Sequence, residues 1–294
     1  MASSGEPSLS VRRLLDKYNL HPRKGLGQHF LADPNILRKI VEAAGLSSEE
    51  TVLEIGPGLG TLTRCLAQAA RRVVAVELDQ NLVAVLKTEL SYLPNLEVVH
   101  GDILHLAPGE LLRGPHAPDP QLSPDYTVVA NLPYYITSAV IRHLLEADAP
   151  PRRLVLTVQY EVARRIVAVP DDMNLLAVSV QFYGQPRVVA RIPAGAFIPP
   201  PKVDSAVVRI DTYSVPPFDA PAPEVFFRVV RAGFAQKRKQ LKNALGAGLG
   251  LPVADVADIM AQAGIEPQRR AETLSLAEWA DLAREFGQHP SFRV

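Results

Sequence analysis

The segment EIGPGLGT, residues 54–61, joins a short apolar stretch to a helical pattern. The residues before it, Thr51 to Ile55, have the composition of a buried strand, and those from Thr61 to Ala70 repeat apolar side chains at helical spacing. Glycines in such a turn let the main chain approach a ligand closely, and the following helix N-terminus favours electron-rich groups. The segment therefore predicts a strand–turn–helix ligand site in an α/β sheet.

Strand and helix patterns alternate on both sides of this turn. Residues 34–45 predict a helix, with Asp33 as its N-cap and Pro34 at its first position. The alternation predicts an α/β fold whose parallel sheet is covered by helices on both faces. The further predicted strands are Arg72 to Glu77, Leu96 to His100, Asp125 to Ala130 and Leu154 to Gln159, and the helices are Asn81 to Leu90, Ser138 to Ala147 and Tyr160 to Val169.

Later segments predict an antiparallel edge and a second domain. Val178 to Tyr183, Pro186 to Ile192 and Ser205 to Thr212 have strand patterns. Four prolines in residues 214–223 indicate a linker, and only helical patterns follow it. We therefore expect an α/β domain over residues 1–213 and a small all-α domain over 224–294. Residues 107–124 carry five prolines and predict a mobile surface excursion.

Composition excludes several classes of protein. The 294 residues include 31 basic and 31 acidic side chains, so charge must be interpreted locally. Cys65 is the only cysteine, which excludes an internal disulfide framework and a multi-cysteine zinc site. No apolar run is long enough to span a membrane, and the polar first ten residues lack the apolar core of a signal peptide. We expect a cytoplasmic protein that binds neither membrane nor metal.

Two carboxylates follow the next strands of the predicted sheet. Glu77 lies twenty-one residues after Gly56 and can accept both hydroxyls of a ribose, and Asp102 can accept from an adenine amine. A dinucleotide-binding turn would have glycine at position 61, where this chain has Thr61. This departure favours S-adenosylmethionine (SAM) over a nicotinamide dinucleotide or a purely structural turn. Asp102 alone also suits a helix-capping turn.

The sequence Asn131-Leu132-Pro133-Tyr134 follows an apolar strand and precedes helix-forming residues. The side-chain oxygen of Asn131 and the main-chain oxygen of Leu132 can accept the two hydrogens of an exocyclic amine. Pro133 fixes the turn, and the ring of Tyr134 can stack on a flat heterocycle. The pattern indicates N-methylation of a base amine, although Asn131 could merely cap the turn and Tyr134 could be a core ring.

A basic stretch opens the predicted all-α domain. Residues 225–243 contain no acidic side chain, and their apolar residues recur at helical spacing. We predict a basic amphipathic helix that contacts RNA phosphates, and an ordinary solvated face is the alternative. Its basic residues are Arg228, Arg231, Lys237, Arg238, Lys239 and Lys242.

Seven ordered motifs between Gly25 and Glu272 resemble those of the ribosomal RNA adenine N6-dimethyltransferases, specifically the small-subunit (16S) enzymes whose loss gives kasugamycin resistance. One departure is His29, where the family usually has Asn. The matching segments are GQHFL (27–31), the turn at 54–60, VELD (76–79), GD (101–102), NLPY (131–134), FIPPPKVDS (197–205) and, at the end of this range, RAE (270–272).

This resemblance implies a Rossmann-like SAM-dependent methyltransferase with a helical RNA-binding domain. It implies that SAM contacts the main chain or side chains of His29, Leu31, Gly56, Glu77, Asp102 and Asn131. Catalysis would involve residues 131–134, with Phe197 stacking on the face of the target base opposite Tyr134. The implied reaction is dimethylation of two adjacent adenosines near the 3′ end of 16S rRNA, in the immature small subunit, by a monomeric enzyme that acts in ribosome biogenesis.

Three other functions remain compatible with the core motifs. The first is a 23S rRNA adenine N6-methyltransferase of the macrolide-resistance type, although the helical tail favours the small-subunit family. The second is a non-catalytic ribosome-assembly or nucleic-acid-binding factor, against which the intact Glu77 and residues 131–134 argue. The third is a DNA adenine methyltransferase, a class that usually has Asp and Pro where this chain has Asn131 and Leu132.

Overall fold

A computed structural model describes residues 10–113, 125–290 and 292 of the chain. The strands in this part are β1 (Phe30–Leu31), β2 (Thr51–Ile55), β3 (Arg72–Glu77), β4 (Leu96–His100), β5 (Tyr126–Asn131), β6 (Arg153–Gln159), β7 (Gly184–Ile192), β8 (Phe197–Ile198) and β9 (Ser205–Thr212). The helices are α1 (Val11–Lys17), α2 (Pro34–Ala44), α3 (Thr61–Ala69), α4 (Gln80–Glu89), α5 (Pro108–Leu112), α6 (Thr137–Leu145), α7 (Tyr160–Ile166), α8 (Leu175–Gln181), α9 (Pro223–Phe234), α10 (Leu241–Leu249), α11 (Val253–Gln262) and α12 (Leu276–Gln288).

Seven strands form the main sheet in the order β4-β3-β2-β5-β6-β9-β7. The five strands from β4 to β6 are parallel, and β9 pairs with β6 in the antiparallel sense. The chain moves outward from β2 through β3 to β4 and then returns to place β5 on the other side of β2. Ligands bind beyond the carboxyl ends of strands at such a reversal, so this topology places a crevice between β2 and β5.

The parallel strands are continuous apolar runs because helices cover both faces of the sheet. One core cluster packs Ile36, Leu37 and Ile40 of α2 against Val52 and Val129 of the sheet. A second cluster brings residues of α1, α4 and β1 together, including Val11, Leu14, Phe30, Leu82 and Val85. The predicted α/β class with an antiparallel edge is therefore confirmed.

Local signals define α2 at both ends. The Asp33 side chain accepts hydrogen bonds from the main-chain N–H groups of Asn35 and Ile36, at 2.8 and 3.4 Å. Pro34 occupies the first turn, where its missing N–H costs nothing. Gly45 ends the helix in a left-handed conformation. The predicted N-cap and first residue are therefore confirmed.

The chain divides into two compact units, the second of which is helical. The first comprises the described residues up to Ala163 and residues 187–212, and the second comprises residues 164–186 and the described residues from Tyr213 onward. The second unit has its own core around Trp279, Phe226 and Phe286. Phe218, within the predicted linker, packs against this core. The first unit thus ends next to the predicted boundary at residue 213, but residues 164–186 lie outside it.

One strand prediction is wrong. Residues 178–183 were expected to form a strand, but Leu175–Gln181 form helix α8, whose N-cap Asn174 accepts a hydrogen bond from the N–H of Ala177. Burial of Ala177 and Val178 in the helical core outweighs the strand preference of the valines. The excursion predicted at 107–124 begins with helix α5, and its residues 114–124 lie outside the described ones.

The basic stretch at 225–243 is not one helix. Helix α9 ends at Phe234, and residues 235–240 form turns before α10 begins at Leu241. The main-chain N–H of Lys239 donates to the Gln236 carbonyl, and that of Leu241 donates to the Arg269 carbonyl at 2.7 Å. These bonds break the helix and place residues 237–239 in an exposed turn.

In the described ranges, no single helix is long and apolar enough to cross a membrane. Helices α10 and α11 reach the length and apolar composition of a membrane span only when they are taken together, and a bend of 118° separates them.

Candidate active site

The turn after β2 forms a floor of bare main chain at the carboxyl edge of the sheet. Gly56 and Gly58 have φ of +69° and +60°, a region that favours glycine. A side chain at 58 would also meet the Phe30 ring at 3.0 Å, and one at 56 would lie 3.6 Å from the Asn131 carbonyl oxygen. The two glycines therefore keep the space between the ends of β2 and β5 open for a ligand.

Glu77 is buried at the end of β3 and is held by main-chain donors. Its Oε2 accepts from the N–H of Gly58 at 3.0 Å, and its Oε1 accepts from the N–H of Asp79 at 2.9 Å. Burial raises the pKa of Glu77, although both N–H groups oppose the rise. Each carboxylate oxygen keeps acceptor capacity for a further donor, which suits the two hydroxyls of a ribose.

Asp102 follows β4 and lines the same cleft. Its Oδ1 accepts from the N–H of Leu104 at 3.0 Å, which caps the short 3₁₀ turn Ile103–His105. The capping role that the sequence suggested is thus present together with the predicted position in the cleft. The other carboxylate oxygen lies 3.8 Å from His105 Nδ1.

The amide of Asn131 is oriented by a single hydrogen bond. Its Nδ2 donates to the main-chain carbonyl of His29 at 3.0 Å, so Oδ1 is left as an acceptor at the cleft. Pro133 accepts two bonds within its own turn, from Ile136 N at 3.2 Å and Thr137 Oγ1 at 3.4 Å. Within the described ranges, neither Asn131 Oδ1 nor the Leu132 carbonyl has a protein donor. Both are available to an incoming amine.

Tyr134 is a fixed ring beside these acceptors. Its hydroxyl is hydrogen-bonded to Ser205 Oγ at 2.8 Å, and its ring stacks with the imidazole of His29, with centroids 6.0 Å apart and planes at 22°. Burial raises the pKa of Tyr134. His29 is fixed in turn by contact of its Nδ1 with the Pro199 carbonyl at 2.7 Å. The Tyr134 ring therefore lies next to His29, which the resemblance implied as a contact of SAM.

Phe197 and Leu31 do not line the cleft, unlike the other predicted site residues of this unit. Leu31 pairs with Phe197 across β1 and β8, and both side chains are buried, Phe197 to 2% exposure. The Leu31 carbonyl accepts from Thr61 Oγ1 at 3.0 Å, which ties β1 to the start of α3. In this conformation Phe197 is a core ring rather than a stacking partner. The predicted contact of Leu31 with SAM and the predicted stacking of Phe197 on the base therefore stay predictions.

The cleft encloses about 840 Å³ including its open mouth. Sequence reasoning found the polar residues that follow strands and, through the resemblance, His29, but it missed the rest of the segment before β1 and several apolar side chains. Tyr135, directly after the predicted turn, could have been found from its place in the sequence. The missed lining residues include Leu26, Gly27, Gln28, Leu78, Ile103 and Tyr135.

A hydrogen-bonded cluster connects the segment before β1 to Glu77. The Gln28 Nε2 donates to Asp79 Oδ2 at 3.1 Å, and the Arg23 guanidinium lies 3.3 Å from the same oxygen. The Gln28 Oε1 accepts from the N–H of Arg23 at 2.8 Å. Because Asp79 donates its own N–H to Glu77, this cluster holds the segment against the carboxylate that faces the cleft.

Glu54 is a buried acid behind the cleft. It is 1% exposed, and its Oε2 has no hydrogen-bond partner among the described residues. Burial, reinforced by the negative charge of Glu77, raises the pKa of Glu54 to about 8. The carboxyl is therefore protonated at neutral pH and takes no part in charge stabilisation there.

Replacing Glu54 by Gln should change how stability depends on pH. A folded-state pKa above the unfolded value means that the native state holds a proton which the unfolded chain has released. The wild-type protein should therefore lose stability as the pH rises from about 5 to about 8, and Glu54→Gln should lose less. Melting temperatures across this range test the prediction, with Glu49→Gln in an exposed turn as the control. Parallel curves for wild type and Glu54→Gln would contradict it.

The donor set fits the nucleoside of SAM better than it fits a metal. The bare glycine floor, the buried carboxylate Glu77 and the polar Asp102 suit a nucleoside, and the mixed apolar lining suits an adenine ring. No group of three or more His, Cys, Asp or Glu with metal-binding geometry occurs in the described ranges. Asn131 and Leu132 lie at the same cleft, so an amine bound to their oxygens would share it with the nucleoside.

The predicted RNA-binding residues lie in the helical unit. Lys237, Arg238 and Lys239 are exposed in the turn between α9 and α10, and Arg231 is exposed on α9. Lys242 is partly buried on α10. The Arg228 guanidinium lies over the Phe292 ring, 4.3 Å from its centroid, so part of its role is packing.

Comparison with known proteins identifies relatives over nearly the whole chain. The family model described as "Ribosomal RNA adenine dimethylase" matches residues 19–288. Proteins named "Ribosomal RNA small subunit methyltransferase A" are similar to this chain: that of Dehalococcoides mccartyi is 47% identical over 99% of this chain and 98% of its own, and that of Moorella thermoacetica is 43% identical over 98% and 100%.

Two solved structures are similar in fold. A dimethyladenosine transferase from Plasmodium falciparum has a TM-score of 0.75 at 26% identity and covers 88% of this chain and 98% of its own. The 23S rRNA methyltransferase ErmE has a TM-score of 0.69 at 29% identity and covers 88% of this chain and 100% of its own.

Proposed function

The chain belongs to the ribosomal RNA adenine dimethylase family, whose members use SAM, and from this premise we propose that it dimethylates two adjacent adenosines near the 3′ end of 16S rRNA. The observation that carries the proposal is the pair of open acceptors, Asn131 Oδ1 and the Leu132 carbonyl, at the cleft that the glycine turn keeps open. The curated relatives named for the small subunit support 16S rRNA over 23S rRNA. The substrate is the immature small ribosomal subunit, and the enzyme acts on it as a monomer.

The adenine N6 is a poor nucleophile because its lone pair is delocalised into the ring. Asn131 Oδ1 and the Leu132 carbonyl accept its two hydrogens and draw the nitrogen toward a tetrahedral amine with a localised lone pair. They also stabilise the positive charge that develops on N6, in the same way that fixed donors stabilise an oxyanion. When bound, SAM supplies an electrophilic methyl group on a sulfonium sulfur.

Tyr134 stacks on the target base and holds it in line for transfer. Its hydrogen bond to Ser205 fixes the ring before substrate arrives, so little ordering is required on binding. The cationic amine is acidic once methylated, and its proton leaves to water without a protein base. After the first transfer N6 retains one hydrogen, so a single acceptor suffices for the second.

Mass spectrometry of rRNA fragments tests the proposal directly. Immature small subunits are incubated with the purified protein and SAM, and 16S fragments should gain four methyl groups on two adjacent adenosines. The Asn131→Ala protein is the matched negative control, because it removes one acceptor and leaves the fold of the sheet unchanged. Methylation of 23S rRNA instead would assign the chain to the large-subunit activity, and an unmodified 16S fragment would refute the proposal.

Changing Lys237, Arg238 and Lys239 together to Ala should weaken RNA binding and flatten its salt dependence. Each lost phosphate contact lowers the slope of log K against log salt by about 0.7 to 0.9, so the triple change should lower it by roughly 2. Filter binding to immature subunits at several salt concentrations measures the slope. A control triple variant of the exposed basic residues Arg38, Lys39 and Lys87 in the first unit should retain it. An unchanged slope in the first variant would mean that this turn faces solvent in the complex.

A further inference from the structure

Tyr135 is the exposed aromatic ring of the cleft. It lines the cleft but remains 63% exposed, whereas Phe30 in the same lining is buried. Large apolar side chains that are both exposed and part of this lining are Leu78 and Tyr135, within the described part of the chain. An exposed ring at the edge of a ligand cleft is surface that a bound molecule can cover.

The main chain holds Tyr135 at this place. The Pro133 carbonyl accepts from the N–H of Ile136 at 3.2 Å, which closes the turn in which Tyr135 lies. A methyl group placed on Gly27 would come within 3.6 Å of the Tyr135 ring and 3.4 Å of Pro133 Cβ. The segment before β1 therefore passes close to this turn, and Gly27 and Tyr135 both line the cleft.

Tyr134 and Tyr135 are adjacent in sequence but differ in how they are held. Tyr134 is fixed by Ser205 and stacks with His29. Tyr135, in contrast, has neither a hydrogen bond nor a ring contact with any residue that the structure describes. The turn thus presents one ring fixed by the protein and one ring without a protein partner.

We propose that Tyr135 stacks on the nucleotide next to the target adenosine, an inference that rests on the proposed function. Extruding the target base breaks its stacking with the neighbouring base, and new contacts in the complex must compensate for the free energy lost. An exposed ring beside the acceptor turn replaces the lost stack without reading sequence. Because the two substrate adenosines are adjacent, one of the two neighbours is the second target, and this is the nucleotide that we assign to Tyr135 while the first is methylated.

Four substitutions separate stacking from other roles. Tyr135→Ala should lower kcat/KM on immature small subunits about 10-fold, mainly through KM, in line with the loss of one aromatic stack. Tyr135→Phe and Tyr135→Trp retain a flat ring and should stay within about 2-fold of wild type. Tyr135→Leu retains apolar volume without a flat ring and should behave like Tyr135→Ala. Tyr92→Ala removes an exposed ring that does not line the cleft and is the matched control.

SAM affinity and melting temperature should be the same for all these proteins. A Tyr135→Leu protein as active as Tyr135→Phe would overturn the inference, because packing rather than stacking would then explain the ring. A loss of SAM affinity in Tyr135→Ala would also overturn it, since the ring would cover the cofactor. These outcomes are distinct from a failure of the proposed function, in which the wild-type protein itself would leave 16S rRNA unmodified.

Discussion

Replacing Asn131 by Ala is expected to lower turnover by about 100-fold to 1,000-fold, the loss typical of removing one preorganised group that stabilises developing charge. The change removes Oδ1, one of two acceptors for the N6 hydrogens. It leaves the Leu132 carbonyl, the glycine turn and Tyr134 in place. We therefore expect the affinity for RNA to change by less than about 3-fold, because uniform binding and transition-state stabilisation are separable.

Single-turnover methylation of immature small subunits at saturating SAM, with RNA affinity measured by filter binding, tests this expectation. Asn35→Ala, which removes an exposed amide from the first turn of α2, is the matched control and should retain wild-type turnover. Near-normal turnover in Asn131→Ala, with an unchanged melting temperature, would rule out Oδ1 as the acceptor.

The orientation of Asn131 also explains why His29 can replace the Asn that the family usually has. The bond that orients Asn131 ends on the main-chain carbonyl of residue 29, which every amino acid provides. The side chain at this position is free to vary, and here its imidazole stacks with Tyr134 and contacts the Pro199 carbonyl. The sequence showed a departure from the family, but it could not show that residue 29 orients Asn131 through its main-chain carbonyl.

Much of the fold could be predicted because its signals are local. Asp33 and Pro34 begin α2 and Gly45 ends it, and each acts on residues next to it in the sequence. The alternating strands and helices of the sheet follow from the same short-range periodicity. Residues 178–183 were assigned wrongly because their conformation is decided by burial among helices that lie far away in the sequence. The strand preference of the valines is outweighed by this burial.

The site was predictable to the extent that its residues follow strands. Gly56, Glu77, Asp102 and Asn131 lie at the carboxyl ends of parallel strands, which share one edge of the sheet. The burial of Phe197 could not be derived from the sequence because it depends on the pairing of β8 with β1, more than 160 residues earlier in the chain. Pairing over such a separation leaves no local pattern in the sequence.

Replacing Glu77 by Gln is expected to weaken SAM binding by about 100-fold or more. A Gln side chain has one oxygen, whereas the N–H groups of Gly58 and Asp79 each donate to a separate oxygen of Glu77. One of these donors would face an amide N–H₂ group, and the charged acceptor for the ribose hydroxyls would be lost. Hydrogen bonds to a charged group contribute about 1.5–3 kcal/mol each, so losing two such bonds accounts for this weakening.

Acidification should reproduce part of this effect in the wild-type protein. Because burial raises the pKa of Glu77, its carboxylate takes up a proton at a higher pH than a solvated Glu does, and SAM affinity should fall as the pH decreases through that range. Calorimetric titrations with SAM at several pH values, on wild type and on Glu77→Gln, measure both effects. Glu42→Gln, an exposed carboxylate of α2, should behave as wild type. A Glu77→Gln protein that binds SAM within about 3-fold of wild type would show that this carboxylate does not hold the ribose, since two charged bonds cannot be removed at so small a cost.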